Sequence, residues 1–436
     1  MNRLVRIAFL SEHASPVALL GGQDAGGQNV YVDELSRNLG RLGYAVDVFT
    51  RRDSPDAPEI IDWCPGVRVI NLTAGPPQLL LKDDIWPLMP AFYDALLNFM
   101  VRDGVRYDLV HGNFWMSGWA AAKLKRQLGI PAVQIFHATG KTKRRHQGAN
   151  DTSPQSRITV EMDIIQEVDR LIAQCPNEQI ELLNDYDAEI GKVVVIPSAV
   201  NIHRFYPVSR DEARRRIDIN TDDPVIVYVG RLLPRKDIRN IVRAVAQLVH
   251  RDQDPITNLK LLVVGGETKE PDPVATPEIG VLQELAAELG VTDRICFVGR
   301  REPDLLRDYY SAGDVAVTTP WYEPFGLTPL EAMACGRPVI GSAVGGIAFT
   351  VQDGVTGFLV PPRDPDALAR RLHHLLIQPE LRAKFGQAAR ARAERDFTWP
   401  VVAQRTATLY QSLLGNPVYR RRISTHSSEI RRGFKR

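Results

Sequence analysis

Two hydrophobic rhythms alternate along this chain. Short apolar runs, VRIAFL (5–10), AVDVFT (45–50), DLVH (108–111), AVQIF (132–136), Leu171–Gln174 and VVVI (193–196), read as buried strands. Between them lie segments with helical spacing. Tyr31, Leu35, Leu39 and Leu42 mark one such helix, RITVEMDIIQEVD (157–169) a second, and a short one starts at Asn177. From Val225 the same grammar restarts: VIVYV (225–229), KLLVV (260–264), Ile295–Val298, DVAVTT (314–319), Val339–Ile340 and Gly357–Val360 read as strands. Helical patterns run through Ile241, Val242 and Val245, then over 281–289, 303–311, 365–376 and 380–394. Strand–helix alternation of this kind builds doubly wound parallel sheets. The expected fold is α/β, with two Rossmann-like domains facing one another across a cleft. Residues 1–200 form the first domain, the turn-rich and charged segment 201–223 a linker, and 224–399 the second domain.

Composition narrows the class. At 436 residues the chain is too long for one ordinary core, in agreement with two domains of about 200 residues each. A hydrophobic content of 44% with 24% charged residues is that of a soluble globular protein. The net charge of +2, with no dominant basic face, gives no reason to expect nucleic acid as a partner. Cys64, Cys175, Cys296 and Cys335 are far apart and form no C-x-x-C pair, which argues against zinc and against a disulfide framework. The opening MNRLVRIAFLSEH reads as a strand interrupted by Arg6 rather than a signal peptide, and no apolar run reaches the length of a membrane span. A cytoplasmic protein is expected. The tail from Tyr419 to Arg436 is basic and expected to be disordered.

The chemistry concentrates at predicted strand ends. After the strand at 314–319, the stretch WYEPFGLTPLEAMACG (321–336) makes a turn at Pro324, Phe325 and Gly326 and opens a helix at Leu327. Unpaired helix-start amides and the positive end of the dipole make this turn an anion site. Glu323 and Glu331 flank it, and a carboxylate there is suited to accept hydrogen bonds from sugar or ribose hydroxyls. Arg231 and Lys236, just past VIVYVG, can clamp a diphosphate and stabilise the charge on a departing nucleotide. In the first half, Gly21, Gly22, Gly26 and Gly27 lack the G-x-G-x-x-G spacing of dinucleotide sites but permit close approach of backbone to a ligand. His137 directly follows a strand, and Lys141, Lys143, Arg144 and Arg145 form a cationic loop after it, suited to a phosphorylated substrate. Asp185-x-Asp187 and Asp364-x-Asp366 match a metal-binding pattern in letters, but one sits in a helix-end turn and the other in a helix cap.

The spacing E-x7-E around P-F-G-L, followed by A-C-G-x-P-V-I and combined with G-R-L-x-P-x-K, resembles the nucleotide-sugar motif of retaining GT-B glycosyltransferases of family 4. The resemblance runs from Gly21 to Leu376. It implies that Glu323 contacts donor-sugar hydroxyls, that Glu331 holds the ribose, and that Gly26, Gly27, Phe325, Gly326 and Leu327 support the donor. It also implies that Arg231 and Lys236 hold the diphosphate with no metal or other cofactor required. Groups around Val298–Arg301, Arg300 among them, are candidates for the nucleotide base. The helical segment Val401–Leu414 is assigned by the same resemblance as a helix returning to the first domain, which extends that domain by residues 400–418. Family members usually carry Gly where this chain has Asp237.

GGQNVYVDELSRNLGRLGYAVDVFTRRD, HATGKTK and RITVEMDI narrow the likeness to sucrose-phosphate synthases, with sucrose synthases sharing the later stretches. That resemblance makes Gln28, Lys82 and Arg157 candidates for the acceptor phosphate, beside Lys141 of the cationic loop, and places His137 near the anomeric carbon. GGQNVYV also resembles the loop of the inositol-phosphate N-acetylglucosaminyltransferase of mycothiol synthesis, where Asn29 would touch the acceptor. The expected activity is retaining transfer of glucose from UDP-glucose or ADP-glucose to a phosphorylated acceptor, with fructose 6-phosphate giving sucrose 6-phosphate as the first expectation. His137, Arg231, Lys236 and Glu323 are the expected catalytic groups. A nucleotide-sugar epimerase and a non-catalytic nucleotide-sugar sensor are the competing classes. A sensor could dispense with the charged residues that this chain keeps.

Overall fold

The computed structural model describes residues 4–17, 26–219, 222–253 and 256–415. Gly21 and Gly22 of the glycine loop, and the basic tail, lie outside the described residues. The chain divides into two compact units, Met1–Pro197 with Trp399–Arg436, and Ser198–Thr398.

In the first unit the elements run β1 (Arg6–Leu10), α1 (Gly27–Arg41), β2 (Ala45–Arg51), β3 (Ile60–Cys64), β4 (Val67–Leu72), α2 (Met89–Arg102), β5 (Leu109–Asn113) and α3 (Phe114–Leu128). They continue with β6 (Ala132–Ile135), α4 (Gly140–Gln147), α5 (Arg157–Glu167), β7 (Arg170–Ala173), α6 (Pro176–Tyr186) and β8 (Val193–Val195). The sheet order is β3-β4-β2-β1-β5-β6-β7-β8, parallel throughout except for the antiparallel β3–β4 pair at one edge. Phe49, Phe92, Leu96, Phe99 and Trp115 fill the core on one side of this sheet.

The second unit holds α7 (Arg210–Arg216), β9 (Val225–Val229), α8 (Ile238–Val249), β10 (Lys260–Val264), α9 (Pro277–Glu288), β11 (Ile295–Gly299) and α10 (Pro303–Ala312). After these come β12 (Val315–Thr318), α11 (Leu327–Ala334), β13 (Val339–Ser342), α12 (Gly345–Thr350), β14 (Gly357–Val360), α13 (Pro365–Leu376) and α14 (Pro379–Asp396). Its sheet is all parallel in the order β11-β10-β9-β12-β13-β14, the doubly wound order of dinucleotide-type domains. Both units are thus Rossmann-like. The last helix, α15 (Trp399–Leu414), belongs to the first unit, where the Tyr410 hydroxyl lies 2.6 Å from His111 Nδ1 on β5. No helix among the described residues is long and apolar enough to cross a membrane.

Three segments differ from the sequence reading. Residues 52–107, which showed no clear rhythm, hold the β3–β4 pair and α2. β3 is a half-exposed edge strand, so its pattern lacks a buried face. Residues 140–147, expected to be a cationic loop, form helix α4, whose charges are paired: Lys143 with Asp151 at 3.0 Å and Arg145 with Asp185 at 2.7 Å. Segment 201–223, expected to be a linker, is part of the second unit. Its α7 is held by Arg214, which lies 3.2 Å from Asp314 and donates to the Ala312 carbonyl at 3.0 Å. Charge rather than hydrophobic period anchors it, and a periodicity reading cannot see that.

Glycines let the neighbouring strands β9 and β10 of the second unit meet at their carboxyl ends. At Gly265 (φ 148°) an added Cβ would lie 1.9 Å from the Gly230 carbonyl oxygen. We predict that Gly265→Ala destabilises this unit by about 1–3 kcal/mol, a cost of forced backbone shifts. Urea unfolding would show it as a lowered midpoint, and an unchanged midpoint would contradict the close approach.

Candidate active site

In the second unit β9 lies between β10 and β12, so the chain connections leave it in opposite directions and open a crevice beyond the carboxyl ends of β9 and β12. Past β9, the Tyr228 hydroxyl donates to the Arg231 carbonyl at 2.9 Å, and a tight turn at Pro234–Lys236 carries two further cations. Past β12, Trp321 N–H donates to the Arg235 carbonyl at 3.0 Å, and the Arg235 guanidinium donates to the Tyr322 carbonyl at 3.2 Å. The two segments are thereby clipped together. The Lys236 ammonium forms a hydrogen-bonded ion pair with Glu323 Oε2, and Arg235 stands 3.7 Å from the same oxygen. Burial works against the Glu323 charge, yet Lys236, Arg235 and Arg231 together hold its carboxyl below the usual range. Burial also holds the Lys236 ammonium below its ordinary value, against the pull of Glu323 and with the help of Arg235 and Arg231. Three cations around one carboxylate give this edge a positive field, which suits an incoming diphosphate.

Asp237, the departure from the family's usual Gly, occupies the left-handed conformation (φ 50°) that such a Gly supplies. Asp tolerates that region better than most residues. Its carbonyl accepts from the Thr319 hydroxyl at 3.1 Å, which ties the Lys236 turn to β12. Beyond Glu323, Phe325 is buried and Gly326 is left-handed (φ 84°) as it opens α11 at Leu327. A pair that the sequence reading missed, Gly345–Gly346, presses on this turn. A Cβ at Gly345 would fall 1.9 Å from the Glu323 carbonyl oxygen, and one at Gly346 would fall 2.2 Å from that of Phe325. The repeated glycine after β13 was the available signal. Glu331 on α11 accepts from the Tyr310 hydroxyl at 2.8 Å, and burial pushes its carboxyl up to about 7. Arg300 is not drawn into this group. It is exposed at the end of β11, two strands from β9 and so about 10 Å away across the sheet.

In the first unit the corresponding switch point lies between β1 and β5. His137 follows β6 in a left-handed conformation (φ 59°), half-buried, with Nε2 3.3 Å from Asn113 Oδ1 and Nδ1 3.2 Å from Gln174 Nε2. Gln174 has a hydrogen to give and Asn113 Oδ1 a lone pair to receive one, so the proton sits on Nε2. Burial, with the neighbouring imidazoles His111 and His13, pushes His137 down to about 3, so the ring is neutral. The Gln174 backbone is fixed in turn by Glu178, a buried carboxyl pushed up to about 8 by burial, which accepts the Gln174 N–H at 2.6 Å. Asn113, Gln174 and Glu178 escaped the sequence reading because they come from separate strands and a helix start that only the sheet brings together.

The acceptor candidates divide. Phe114, an aromatic residue in the unusual left-handed region (φ 75°), follows β5. Its ring centroid lies 5.6 Å from Lys82 Nζ and 5.0 Å from Arg157 Cζ. Lys82 and Arg157 therefore do gather at one aromatic surface. Arg157 is nonetheless internal: its Nε donates to Glu161 at 2.8 Å, and its two terminal nitrogens donate to Ser153 at 3.1 Å and to the Ala138 carbonyl at 2.6 Å. In this arrangement it braces the chain after His137 and does not offer a free guanidinium. Lys141 is drawn elsewhere. Its ammonium bonds the Asp185 carbonyl and lies over the Tyr186 ring, so it serves the packing of α4 on α6. Asn29, expected to touch an acceptor, is buried with its amide engaged by the Gly26 N–H and the Ser15 carbonyl, both at 3.0 Å. Gln28 bonds Ser11 at 3.3 Å, so it and Asn29 fasten the start of α1, where Gly26 and Gly27 lie, to the segment after β1.

Two doubly wound units, one with a cluster of cations and two glutamates at its switch point, have the architecture of nucleotide-sugar-dependent glycosyltransferases of the GT-B class. Residues 26–199 match the glycosyl transferase 4-like domain and residues 209–392 the family of glycosyl transferases group 1. The chain is 37% identical to D-inositol 3-phosphate glycosyltransferase 2 of Catenulispora acidiphila over 93% of this chain and 94% of that protein. It is 36% identical to D-inositol 3-phosphate glycosyltransferase of Streptosporangium roseum over 95% of each. Among solved structures, sucrose-phosphate synthase from Thermosynechococcus elongatus superposes with a TM-score of 0.84 at 36% identity, covering 94% of this chain and 99% of that one. HepE of Anabaena in complex with UDP-glucose shares the fold, with a TM-score of 0.70 at 20% identity over 93% of this chain and 99% of that one. The chain belongs to the group 1 family of GT-B glycosyltransferases, enzymes that transfer a sugar from a nucleotide sugar.

Glu331 yields a pH-dependent prediction. Its carboxyl in the folded protein titrates near 7 against an ordinary value near 4.5, so its stability contribution is full below pH 4.5 and is lost as the pH rises through 7. Gln keeps an oxygen for Tyr310 and carries no charge. The stability gain of Glu331→Gln over the parent should grow from near zero at pH 4.5 to at most about 3 kcal/mol above pH 7.5, read from paired thermal melts. A pH-independent difference would contradict the assignment.

Proposed function

We propose that this enzyme transfers a hexosyl unit from a nucleoside-diphosphate sugar to a phosphorylated polyhydroxy acceptor with retention of anomeric configuration. The observation that carries the reading is the Lys236–Glu323 pair set among Arg231 and Arg235. It offers a carboxylate to the donor sugar's hydroxyls and positive charge to its diphosphate. UDP-glucose is the first donor to consider, supported by the fold shared with HepE in complex with UDP-glucose, and ADP-glucose is the second. Glu331 would take the ribose hydroxyls, exchanging its Tyr310 bond for them. No metal is called for in this reading, because Arg231, Lys236 and the first amides of α11 already meet the charge that develops on the leaving phosphate.

His137 is neutral and locked between two amides, so it does not serve as a nucleophile or a shuttling base. Its role is to shape the wall beside the anomeric carbon. The acceptor's proton would pass to the departing phosphate on the same face of the sugar, as the new glycosidic bond forms and the sugar–phosphate bond breaks. Lys82 beside Phe114 is the cation offered to the acceptor's phosphate. Fructose 6-phosphate is our first acceptor, supported by the likeness to sucrose-phosphate synthase. D-inositol 3-phosphate is the second, supported by the names of the sequence relatives, and N-acetylglucosamine is then the sugar to test. Four free cysteines support a cytoplasmic setting.

The test is a product assay, with no metal added, that offers each donor with fructose 6-phosphate, D-inositol 3-phosphate and free fructose. We expect an α-linked phosphorylated product from one of the two phosphates and little from free fructose. A β-linked product, or a preference for free fructose, would overturn the reading. In the same assay Lys236→Ala should lower kcat by about 10²–10³, the scale of losing one preorganised charge partner. Near-normal turnover would remove Lys236 from the machinery.

A further inference from the structure

The segment that leaves β1 at the switch point of the first unit reads Ser11-Glu12-His13. Glu12 is an acid in a place that exposes almost none of it, at 1% of its surface. It is held on every side. Its N–H donates to Ser117 Oγ at 3.1 Å, and its carbonyl accepts from the Arg51 N–H at 3.0 Å. The Ser117 hydroxyl donates to Oε2, and His13 Nδ1 stands 2.6 Å from Oε1. A buried carboxylate with no such partners would be expensive, so the imidazole and the hydroxyl are what keep this one in place. The carboxylate can only accept, and Nδ1 must therefore carry a proton.

Nothing in the reading above uses this pair, yet it stands where the acceptor candidates gather. The His13 ring packs edge-on against Phe114 with centroids 4.9 Å apart, on the ring already shared by Lys82 and Arg157. His13 is also near enough to His137 to bear on its charge. Nε2 of His13 has no hydrogen-bond partner among the described residues. In a free neutral imidazole the Nδ1–H and Nε2–H forms compete, and a partner on one nitrogen decides between them.

We propose that Glu12 is a positioning residue that fixes His13 in its Nδ1-protonated form, leaving Nε2 as a lone-pair acceptor that orients the attacking hydroxyl of the sugar acceptor. This deepens the proposed function and rests on it. His13 holds the hydroxyl by a hydrogen bond and does not keep its proton, which still leaves with the departing phosphate. His137 carries its proton on Nε2 and His13 on Nδ1, so the two rings at this edge differ in which nitrogen can receive a hydrogen bond.

The experiment is long-range proton–nitrogen NMR of histidine-labelled full-length protein at pH 8, with His13 assigned by His13→Gln. In the parent, Nδ1 of His13 should resonate as a protonated and Nε2 as an unprotonated nitrogen. Glu12→Leu should reverse that pattern and raise the KM for fructose 6-phosphate or D-inositol 3-phosphate about tenfold, the scale of one lost hydrogen bond, with the KM for UDP-glucose unchanged. Glu12→Gln keeps an accepting oxygen and should hold both the tautomer and the acceptor KM within about threefold of the parent. It also serves if the leucine variant does not fold. Titration of the parent with either phosphate should move the Nε2 resonance.

A parent protonated on Nε2, a Glu12→Leu variant with unchanged acceptor KM, or an Nε2 resonance that neither phosphate moves would overturn the proposal. The tautomer is read without turnover. A failure of every phosphorylated acceptor in the product assay would therefore sink the acceptor reading separately from the Glu12–His13 pairing.

Discussion

Glu323 and Lys236 form a largely buried ion pair, and such pairs return little stability for the solvation they give up. Several features keep this one in place. Arg235 and Arg231 add charge, the Trp321 and Tyr322 backbone clips the two loops together, and Asp237 bends the chain so that α8 can begin. The Gly345–Gly346 turn packs against the carbonyls of Glu323 and Phe325 with no room for a side chain. Much of the carboxyl edge of the second sheet is arranged around a contact that is of small use to folding. In the proposed function, a ligand with a diphosphate and hydroxyls gives both partners something better to hold.

The first unit solves a different problem. It keeps polar groups dry by satisfying them in networks: Arg157 with Glu161, His137 between Asn113 and Gln174, Glu12 between Ser117 and His13. Partners are supplied from separate strands at the switch point, so the geometry is set by the sheet and not by any one loop. Such networks rigidify a surface when every member is paired. A rigid wall with Lys82 and the internally braced Arg157 beside Phe114 is the surface on which we propose that a phosphorylated acceptor is oriented, by shape and hydrogen bonds.

Legibility in the sequence followed physical range. All six strands of the second sheet were visible because each reads as an apolar run, buried in the inner strands and half-exposed in the edge strand β11. β3 was not, because Asp62 breaks the apolar run of a half-exposed edge strand. The Glu323–Glu331 spacing and the Arg231–Lys236 pair were legible because turn, cap and charge lie within a few residues of one another. The partners of Lys141 and Asn29 were not legible for the opposite reason: their residue types suit a ligand, and it is the fold that brings Asp185, Ser15 and Gly26 to them. Arg157 was named for an acceptor phosphate by resemblance, and in the fold Glu161 one turn along its own helix and Ser153 take its donors. Phe114 and Glu12 carried no local signal. Their meaning depends on β1 and β5 being neighbours.

A crystal structure of the protein with UDP bound tests the central claim most directly. The account predicts the diphosphate beyond β9 and β12, within hydrogen-bonding distance of Arg231 and Lys236, with the ribose hydroxyls on Glu331 and Lys236 drawn at least partly away from Glu323. UDP bound elsewhere, or bound there with Lys236 still wholly committed to Glu323 and Glu331 still facing Tyr310 alone, would contradict it.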